Sequence, residues 1–505
     1  MKTMMRKWLC GAAIGVMGLC LALGSTDLAA AQDASRVVVS QSSDTLTLDP
    51  SVDTSPISLN LFKNIYDQLT DIKADGSVAP LLASSWESSK DAKVWTFTIT
   101  PNVKFHDGSA LTIEDVVWSF TKIMADKKSP VAAYLSGVEK VEADGADKVK
   151  FTLKEPFAPF DRQVSLISIL PQKIYEERGA SFAQNPVGTG PYKVVKWVKD
   201  DRIELEAFAD YHGGKAKYQQ VIFRPVPSES ARTSALLSGE LDIVPILPPA
   251  FMQTLSSREG IRVEKVQSNR VVYLGFDVNV PPLDNVKLRQ AMDFAIDRDA
   301  LTKQLLRGLG APVGQIVAPV TFGYDPSIQP TAYDPEKAKK LVAESGYKGE
   351  PILFQYPNNR YAFGQEVAQA AAGYLRAVGI NVDLQGMEYS AFFPLWTGKK
   401  LNGMHMFAFG PSIMDAELPL RSLYEKGPAR AYWSNDQVND LIKQQRATAD
   451  PDARKKLISE IWKISKENVP YVILYNEIQG YGIRDGIDWQ PRPDERLLFG
   501  PNATK

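Results

Sequence analysis

Short strand patterns alternate with amphipathic helix patterns along most of this chain, and that alternation limits its fold more than any other feature. Residues 36–40 and 94–99 have the apolar spacing of strands, whereas residues 288–296 and 367–378 place apolar side chains at helical spacing. Strands and helices that alternate in this way form an open sheet covered by helices. The sequence therefore predicts an α/β fold.

Local signals predict where several of these elements begin. Thr112 is followed three residues later by Asp115, the arrangement of a capping box at a helix start. Asn435 and Asp450 are N-cap residue types placed directly before other helical patterns. Further strands are predicted at residues 380–384, 403–409 and 471–475.

The length of 505 residues is too great for one small domain, because a domain usually takes roughly 100–200 residues. Turn-rich or extended segments at residues 185–192, 267–279 and 476–489 are candidate crossings between domains. Two to four domains are expected.

The first 31 residues have the features of a secretory signal peptide. Lys2, Arg6 and Lys7 precede an uncharged apolar stretch, and small residues at 29–31 provide a cleavage site near Ala31. The apolar stretch is shorter than the roughly 20 residues that a membrane span needs. We expect a mature protein located in the periplasm.

Composition excludes several classes of function. Both cysteines, Cys10 and Cys20, lie within the predicted signal peptide, so the mature chain has no thiol chemistry. The full chain carries 58 basic and 59 acidic side chains, a net charge of −1, which gives no field that favours nucleic acid. Disorder and a multi-span membrane protein are excluded by 44% hydrophobic and 23% charged residues.

Catalytic and metal-binding motifs are missing from the predicted mature sequence. It contains no GxSxG, P-loop, HExxH or CxxC pattern. Of the three histidines, His106 is predicted to bond nearby backbone in a turn, and His212 is predicted to face solvent. His405 lies between two methionines, but strand alternation puts them on the opposite face, so the three cannot share a metal. We expect neither an enzyme nor a cofactor or metal site.

Several segments together resemble the peptide/nickel family of extracellular solute-binding proteins, family 5, the periplasmic receptors of ABC importers. The first is WTFTITPNVKFHDGSALTIEDVVWSF at residues 95–120, and the next is PVGTGPYKVVKW at residues 186–197. LLSGELDIV, LDNVKLRQAMDFAIDRDAL, YDPEKAKKLVAESGY, PNNRYAFGQEVAQAAAGYLRAVGI and the closing WQPRPDE follow in the family's order. The resemblance covers nearly the whole predicted mature chain.

This resemblance implies a two-lobed clamshell of three domains, in which domain I is discontinuous. The expected boundaries are a signal peptide at 1–31, domain II at 67–185 and domain III at 267–475. Domain I would combine residues 32–66, 186–266 and 476–505. The solute would bind between the lobes, which would close on it by a hinge.

The resemblance also implies the residues that hold the solute. Arg360 matches the family's arginine in the PNxRY pattern and would bind a carboxylate through its planar guanidinium. Asp415 lies in the loop where peptide-binding members carry an aspartate for the solute's amine, although Ala416 and Glu417 depart from the usual Asp-Pro-Asp. The alternative for Asp415 is to cap the following helix. Further ligand-binding candidates are Tyr361, Ser412, Trp396 and Trp433.

The function implied is a periplasmic receptor that captures a peptide or similar polar oligomer. It would act as a monomer and deliver its solute to the permease and ATPase subunits of an importer, with no nucleic-acid partner. The altered loop at Asp415 leaves open a non-peptide cargo on the same fold: an opine, a glutathione-like molecule, an oligosaccharide or a metal chelate. A secreted hydrolase is a remote alternative, since no motif supports it.

Overall fold

The computed structural model describes residues 35–358, 360–427, 430–501 and 503, so the predicted signal peptide and both cysteines lie outside the described residues. The strands are β1 (Arg36–Gln41), β2 (Thr70–Ile72), β3 (Val78–Pro80), β4 (Ala83–Ser88), β5 (Val94–Ile99), β6 (Val138–Ala143), β7 (Lys148–Leu153), β8 (Tyr192–Val198), β9 (Arg202–Ala207), β10 (Gln220–Pro225), β11 (Ile243–Val244), β12 (Ile261–Phe276), β13 (Gly310–Ala311), β14 (Ile352–Pro357), β15 (Val382–Met387), β16 (Met404–Phe409) and β17 (Tyr471–Arg484).

The α-helices connect and cover these strands. They are α1 (Pro56–Ile65), α2 (Ile113–Ala125), α3 (Phe160–Gln163), α4 (Gln172–Arg178), α5 (Glu229–Ser238), α6 (Pro249–Ser256), α7 (Val286–Ala295), α8 (Arg298–Ala300), α9 (Pro335–Ser345), α10 (Gly364–Ala377), α11 (Tyr389–Thr397), α12 (Glu417–Pro419), α13 (Asp436–Arg446) and α14 (Pro451–Asn468). Within the described ranges, no helix is both long and apolar enough to cross a bilayer.

The predicted helix starts are confirmed. Thr112 and Asp115 form the capping box of α2, in which each side chain bonds the other residue's backbone N–H. Asn435 caps α13 and Asp450 caps α14 through a side-chain oxygen that accepts from a backbone N–H. The strand predicted at residues 380–384 begins two residues later in the structure, as β15.

One large mixed sheet extends through the molecule. Its strands lie in the order β15-β14-β16-β12-β17-β11-β1-β10-β9-β8, and β13 pairs with β17 at the side. An antiparallel four-stranded sheet, β4-β5-β7-β6, and the small pair β2-β3 lie outside it. Helices over an extended sheet are the arrangement that the sequence predicts.

The long strands β12 and β17 lie in the middle of the large sheet and join its two halves. One half contains β15, β14 and β16, and the other contains β11, β1, β10, β9 and β8. The two long strands pair antiparallel from Ile261↔Arg484 to Gly275↔Tyr471, and β11 borders one end of the pair while β16 borders the other. Their register shifts between Gln267 and Val271. The Asn476 side-chain amide donates to the Ser268 and Arg270 carbonyls, both at 2.7 Å, which satisfies backbone groups at this irregularity.

The buried apolar side chains form separate clusters. One cluster packs around β12, β14, β16, α7, α10 and α14. A second surrounds β1, α1, β9 and β10 and includes Trp489 and Phe499 from the chain's end. A third lies inside the four-stranded sheet and α2. Because each cluster has its own sheet or sheet half, the chain has distinct packing units.

Two of the histidine predictions are confirmed and one is wrong. His106 Nε2 lies 3.0 Å from the Gly190 carbonyl oxygen, and the Gly188 N–H donates to its Nδ1 at 3.2 Å. His405 is buried in β16, with the adjacent methionines buried on the other face. His212 does not face solvent, because its Nε2 lies 2.9 Å from Oδ2 of the buried Asp67.

Burial lowers the pKa of His106 and of His405 far below the ordinary value of a histidine. It lowers the pKa of His106 to about 4 and that of His405 to about 3. In the unfolded chain both would titrate near 6.5. Folding therefore favours the neutral imidazole at both positions.

We predict that this protein loses stability as the pH falls from about 6.5 to about 4, because the unfolded chain takes up protons there and the folded chain does not. His405→Phe should remove about 1–3 kcal/mol of that loss, as measured by urea unfolding at pH 7 and pH 4.5. An equal pH dependence in the variant and the parent protein would contradict the assignment of His405.

Candidate functional site

A cleft-like cavity of about 470 Å³ lies where the two halves of the large sheet meet. One side is formed by the end of β1, by α1, by the start of α5 and by residues 494–497. The other side is formed by residues 269–270, Arg360, Gly410 and Ser412. Residues far apart in sequence thus face the same volume, as expected for a binding site between packed units.

Asn269 connects separate segments of the cavity wall. Its backbone N–H donates to the Pro493 carbonyl at 2.9 Å, and its side-chain amide donates to the Pro411 carbonyl at 3.0 Å. One residue at the irregular part of β12 thereby holds the loop after β16 and the C-terminal segment. The cavity lies against the strand pair that connects the halves.

Arg360 reaches the cavity from the loop that follows β14. Its guanidinium lies over the rings of Tyr361 and Tyr389, at 5.5 Å and 5.2 Å from their centroids. Among the described residues it forms no hydrogen bond or ion pair. Two aromatic faces support this cation, and its donors remain available to a solute.

Arg270 differs from Arg360 because two carboxylates contact its guanidinium directly. Its guanidinium donates to Glu495 at 2.7 Å and lies 3.3 Å from Glu477. Burial alone would lower the pKa of Arg270, but the two carboxylates outweigh that effect and raise it. Gln479 also donates to Glu495, at 2.9 Å. This network is a rigid, hydrogen-bonded part of the cavity wall.

Arg496 is the second cation of the cavity whose guanidinium has no hydrogen-bond or ion-pair partner among the described residues. Its neighbour Asp494 is engaged by Arg492, at 2.7 Å. Burial lowers the pKa of Arg496, while the charges of Asp494 and Glu495 act in the opposite direction. Arg496 therefore presents its donors to the cavity from the half opposite Arg360.

The structure places Asp415 outside this cavity, in a fully buried ion network. Both of its carboxylate oxygens accept from Arg454, at 2.7 and 2.6 Å, and Arg162 Nε lies 3.5 Å from Oδ2. Burial alone would raise the pKa of Asp415, but the charge and hydrogen bonds of Arg454 and the charge of Arg162 hold it below its ordinary value. A solute's amine would find no free oxygen on this carboxylate.

The alternative expectation, that Asp415 caps the following helix, is met only in part. The cap residue of α12 is Ala416, whose side chain makes no capping bond, but Asp415 Oδ1 accepts from the N–H of Glu417, the first residue of α12, at 2.8 Å. Arg162 also donates to the carbonyls of Gly76, at 2.8 Å, and of Met414, at 3.3 Å. Arg162 thus links α3 and the β2–β3 turn to the loop that follows β16.

The other predicted ligand residues are divided between cavity and core. Ser412 lines the cavity. Tyr361 lies beneath Arg360, and its hydroxyl accepts from the Ala408 N–H at 3.0 Å. Trp396 packs on Phe407 with ring centroids 4.2 Å apart, and Trp433 meets Tyr424 edge-on at 6.0 Å. Trp396 and Trp433 are 2% and 8% exposed, which makes them core residues rather than cavity walls.

Sequence reasoning missed Arg270 and Arg496. Arg496 directly follows the WQPRPDE segment, so the signal in the sequence was its position next to a segment that resembles the family. Arg270 carries no local signal, because its role depends on Glu495, which is more than 200 residues away. Within the described part of the chain, no cluster of three or more His, Cys, Asp or Glu side chains is placed to hold a metal.

Comparison with known families identifies the fold. The model for bacterial extracellular solute-binding proteins, family 5 Middle, matches residues 77–430. The probable D,D-dipeptide-binding periplasmic protein DdpA of Escherichia coli strain K12 is 27% identical over 479 residues, which cover 92% of each chain. The glutathione-binding protein GsiB of Salmonella typhi is 29% identical over 491 residues, 93% of each chain.

Among solved structures, HbpA2 from Haemophilus parasuis superposes with a TM-score of 0.83 at 24% identity, over 92% of this chain and 99% of that one. A likeness at this level of identity concerns the fold alone. The predicted two-lobed α/β fold of periplasmic binding proteins is confirmed.

We predict that Asp415→Asn destabilises the protein by about 3–5 kcal/mol, because it removes the charge that pairs directly with the buried Arg454 and Arg162. Chemical unfolding followed by far-UV circular dichroism measures the change. Asp440→Asn, which removes an exposed carboxylate from α13, is the matched control and should change stability by no more than about 0.5 kcal/mol. Equal effects for the two variants would contradict the proposed importance of the buried network.

Proposed function

Because the chain belongs to the bacterial extracellular solute-binding proteins of family 5, we propose that it is the periplasmic receptor of an ABC importer. It captures a peptide or similar polar solute between its two lobes and delivers it to the membrane permease. The observation that carries this proposal is the position of Arg360. Its guanidinium faces a cavity between the halves of the large sheet and has N–H donors that form no hydrogen bond with the described residues.

The proposed domain division assigns residues 67–185 to domain II and residues 267–475 to domain III. Domain I combines residues 32–66, 186–266 and 476–505. The separate apolar clusters support this division, since each lies mainly within one of these sets. The pair β12–β17 would then provide the two chain crossings between the lobes.

The proposed contacts of the solute follow from the chemistry of the cavity. Arg360 would bind a carboxylate with two parallel N–H donors. Ser412, whose hydroxyl can donate and accept, would add a polar contact from the same lobe. Tyr361 would act indirectly, by supporting the guanidinium from below.

Capture would be coupled to closure. A solute that contacts both lobes binds the closed arrangement more tightly than the open one and therefore shifts the equilibrium toward it. The closed receptor would act as a monomer and dock on the permease, whose associated ATPase subunits drive transport. We further propose that the leader is cleaved near Ala31 and that the mature protein resides in the periplasm.

A second candidate keeps the receptor and changes the cargo. The burial of Asp415 in a network with Arg454 and Arg162 favours it, because a peptide's ammonium would lack that carboxylate as a partner. The solute would then be an opine, a glutathione-like molecule, an oligosaccharide or a metal chelate. A thermal-shift screen over peptides and these classes separates the two candidates, since a ligand that binds the folded state raises its melting temperature.

We predict that Arg360→Ala weakens binding of a carboxylate-bearing solute by about 1.5–3 kcal/mol, the usual contribution of a charge-assisted hydrogen bond. Titration calorimetry with the best solute from the screen measures this loss. Arg258→Ala removes an exposed arginine outside the cavity and should bind as the parent protein does. Unchanged affinity in Arg360→Ala would reject the role of Arg360.

A further inference from the structure

We infer that the solute carries two separated acidic groups, one bound by Arg360 and the other by Arg496. This inference rests on the proposed receptor function and narrows its cargo. It follows from the pairing of charges around the cavity, from the opposite positions of the two arginines, and from the lack of an available buried carboxylate for an ammonium group.

The charged residues of the cavity are unequally paired. Arg270 is bound by Glu495 and Glu477, and the lining carboxylate Asp494 is bound by Arg492, which lies outside the cavity lining. Another lining cation, Arg232, donates to the carbonyls of Val226 and Pro227, at 2.8 and 3.0 Å. Arg360 and Arg496 have no such partners among the described residues. Their donors are the unused positive hydrogen-bonding groups of this cavity.

The two arginines project from different halves of the protein. Arg360 follows β14, which belongs to the half built around β16 and α10. Arg496 is held to α1 through its neighbour Leu497, whose N–H donates to Asn60 at 3.2 Å and whose carbonyl accepts from Asn64 at 2.8 Å. A solute with an acidic group at each end would therefore connect the two halves.

The acidic side chains of the cavity offer little for a positively charged group. Asp494 and Glu495 are already engaged by arginines, and Asp415 is buried elsewhere. Glu229 is the remaining lining carboxylate, and it is exposed in the first turn of α5, where the helix N-terminus already favours a negative charge. An ammonium group is therefore not the feature that this cavity selects.

Electrostatics favours the same conclusion. Arg360 lies near the charges of Glu477 and Glu495, and Arg496 lies near those of Asp494 and Glu495, but none of these carboxylates binds either guanidinium directly. Carboxylates of a solute would supply the direct charged partners that both guanidinium groups lack. Each bond would be charge-assisted and stronger than a neutral one. Loss of either acidic group should therefore weaken binding strongly, while loss of an amine should not.

The test is a double-mutant cycle between protein and solute. The first probes are two dicarboxylates, the peptide Ala-Glu and glutathione. Their monoamides, Ala-Gln and glutathione glycinamide, each lack one acidic group. The N-acetylated forms of both dicarboxylates keep the acidic groups and lack the charged amine. Affinities are measured by titration calorimetry for the parent protein, Arg496→Gln and the control Arg258→Gln. Arg496 makes no side-chain hydrogen bond or ion pair with the described residues, so its substitution should leave the fold intact.

We expect at least one dicarboxylate to bind the parent protein about 10- to 100-fold more tightly than its monoamide, and its N-acetylated form to bind within a few-fold of it. In Arg496→Gln the ratio of the affinity for the dicarboxylate to that for the monoamide should fall close to one, whereas Arg258→Gln should keep the ratio of the parent protein.

The contrary results are distinct from one another. Monoamides that bind as tightly as the dicarboxylates would overturn the inference and leave the receptor function standing. A preference that persists in Arg496→Gln would overturn the role of Arg496. Failure of every probe to bind a folded parent protein would contradict both this inference and the proposed cargo.

Discussion

The antiparallel pairing of β12 with β17 is the interaction on which the rest of this structure depends. The two strands extend through both halves of the large sheet, and their register shifts at residues 267–271, beside the cavity. Asn476 satisfies the backbone carbonyls at this shift, and Asn269, in the irregular part of β12, bonds the loop after β16 and the segment at Pro493. The element that joins the halves is therefore also the one that shapes the space between them.

Charge placement then distinguishes the cavity from the surrounding core. Asp415, Arg454 and Arg162 satisfy one another away from the cavity, where an unpaired charge would cost several kcal/mol. Arg360 and Arg496 line the cavity and form no hydrogen bond or ion pair with the described residues. The charges of Asp494 and Glu495 oppose the effect of burial on Arg496, and a bound acid would supply the direct partner that its guanidinium lacks.

Local features of the sequence predicted the helices well and the long-range contacts poorly. The capping box at Thr112 and the cap at Asp450 depend on residues three positions apart, so the sequence shows them directly. The pairing of β12 with β17 joins segments about 200 residues apart, and register between distant strands is fixed by packing rather than by local pattern. Arg360 was identified from its motif, whereas the bonds between Arg454 and Asp415 join residues 39 positions apart and have no local pattern.

Hydrogen–deuterium exchange with and without the tightest dicarboxylate tests most directly whether the solute lies between the halves. The account predicts slower exchange in two distant segments at once, residues 355–364 around Arg360 and residues 489–499 around Arg496. Protection confined to one of these segments, or to neither while the solute is bound, would contradict capture between the two halves.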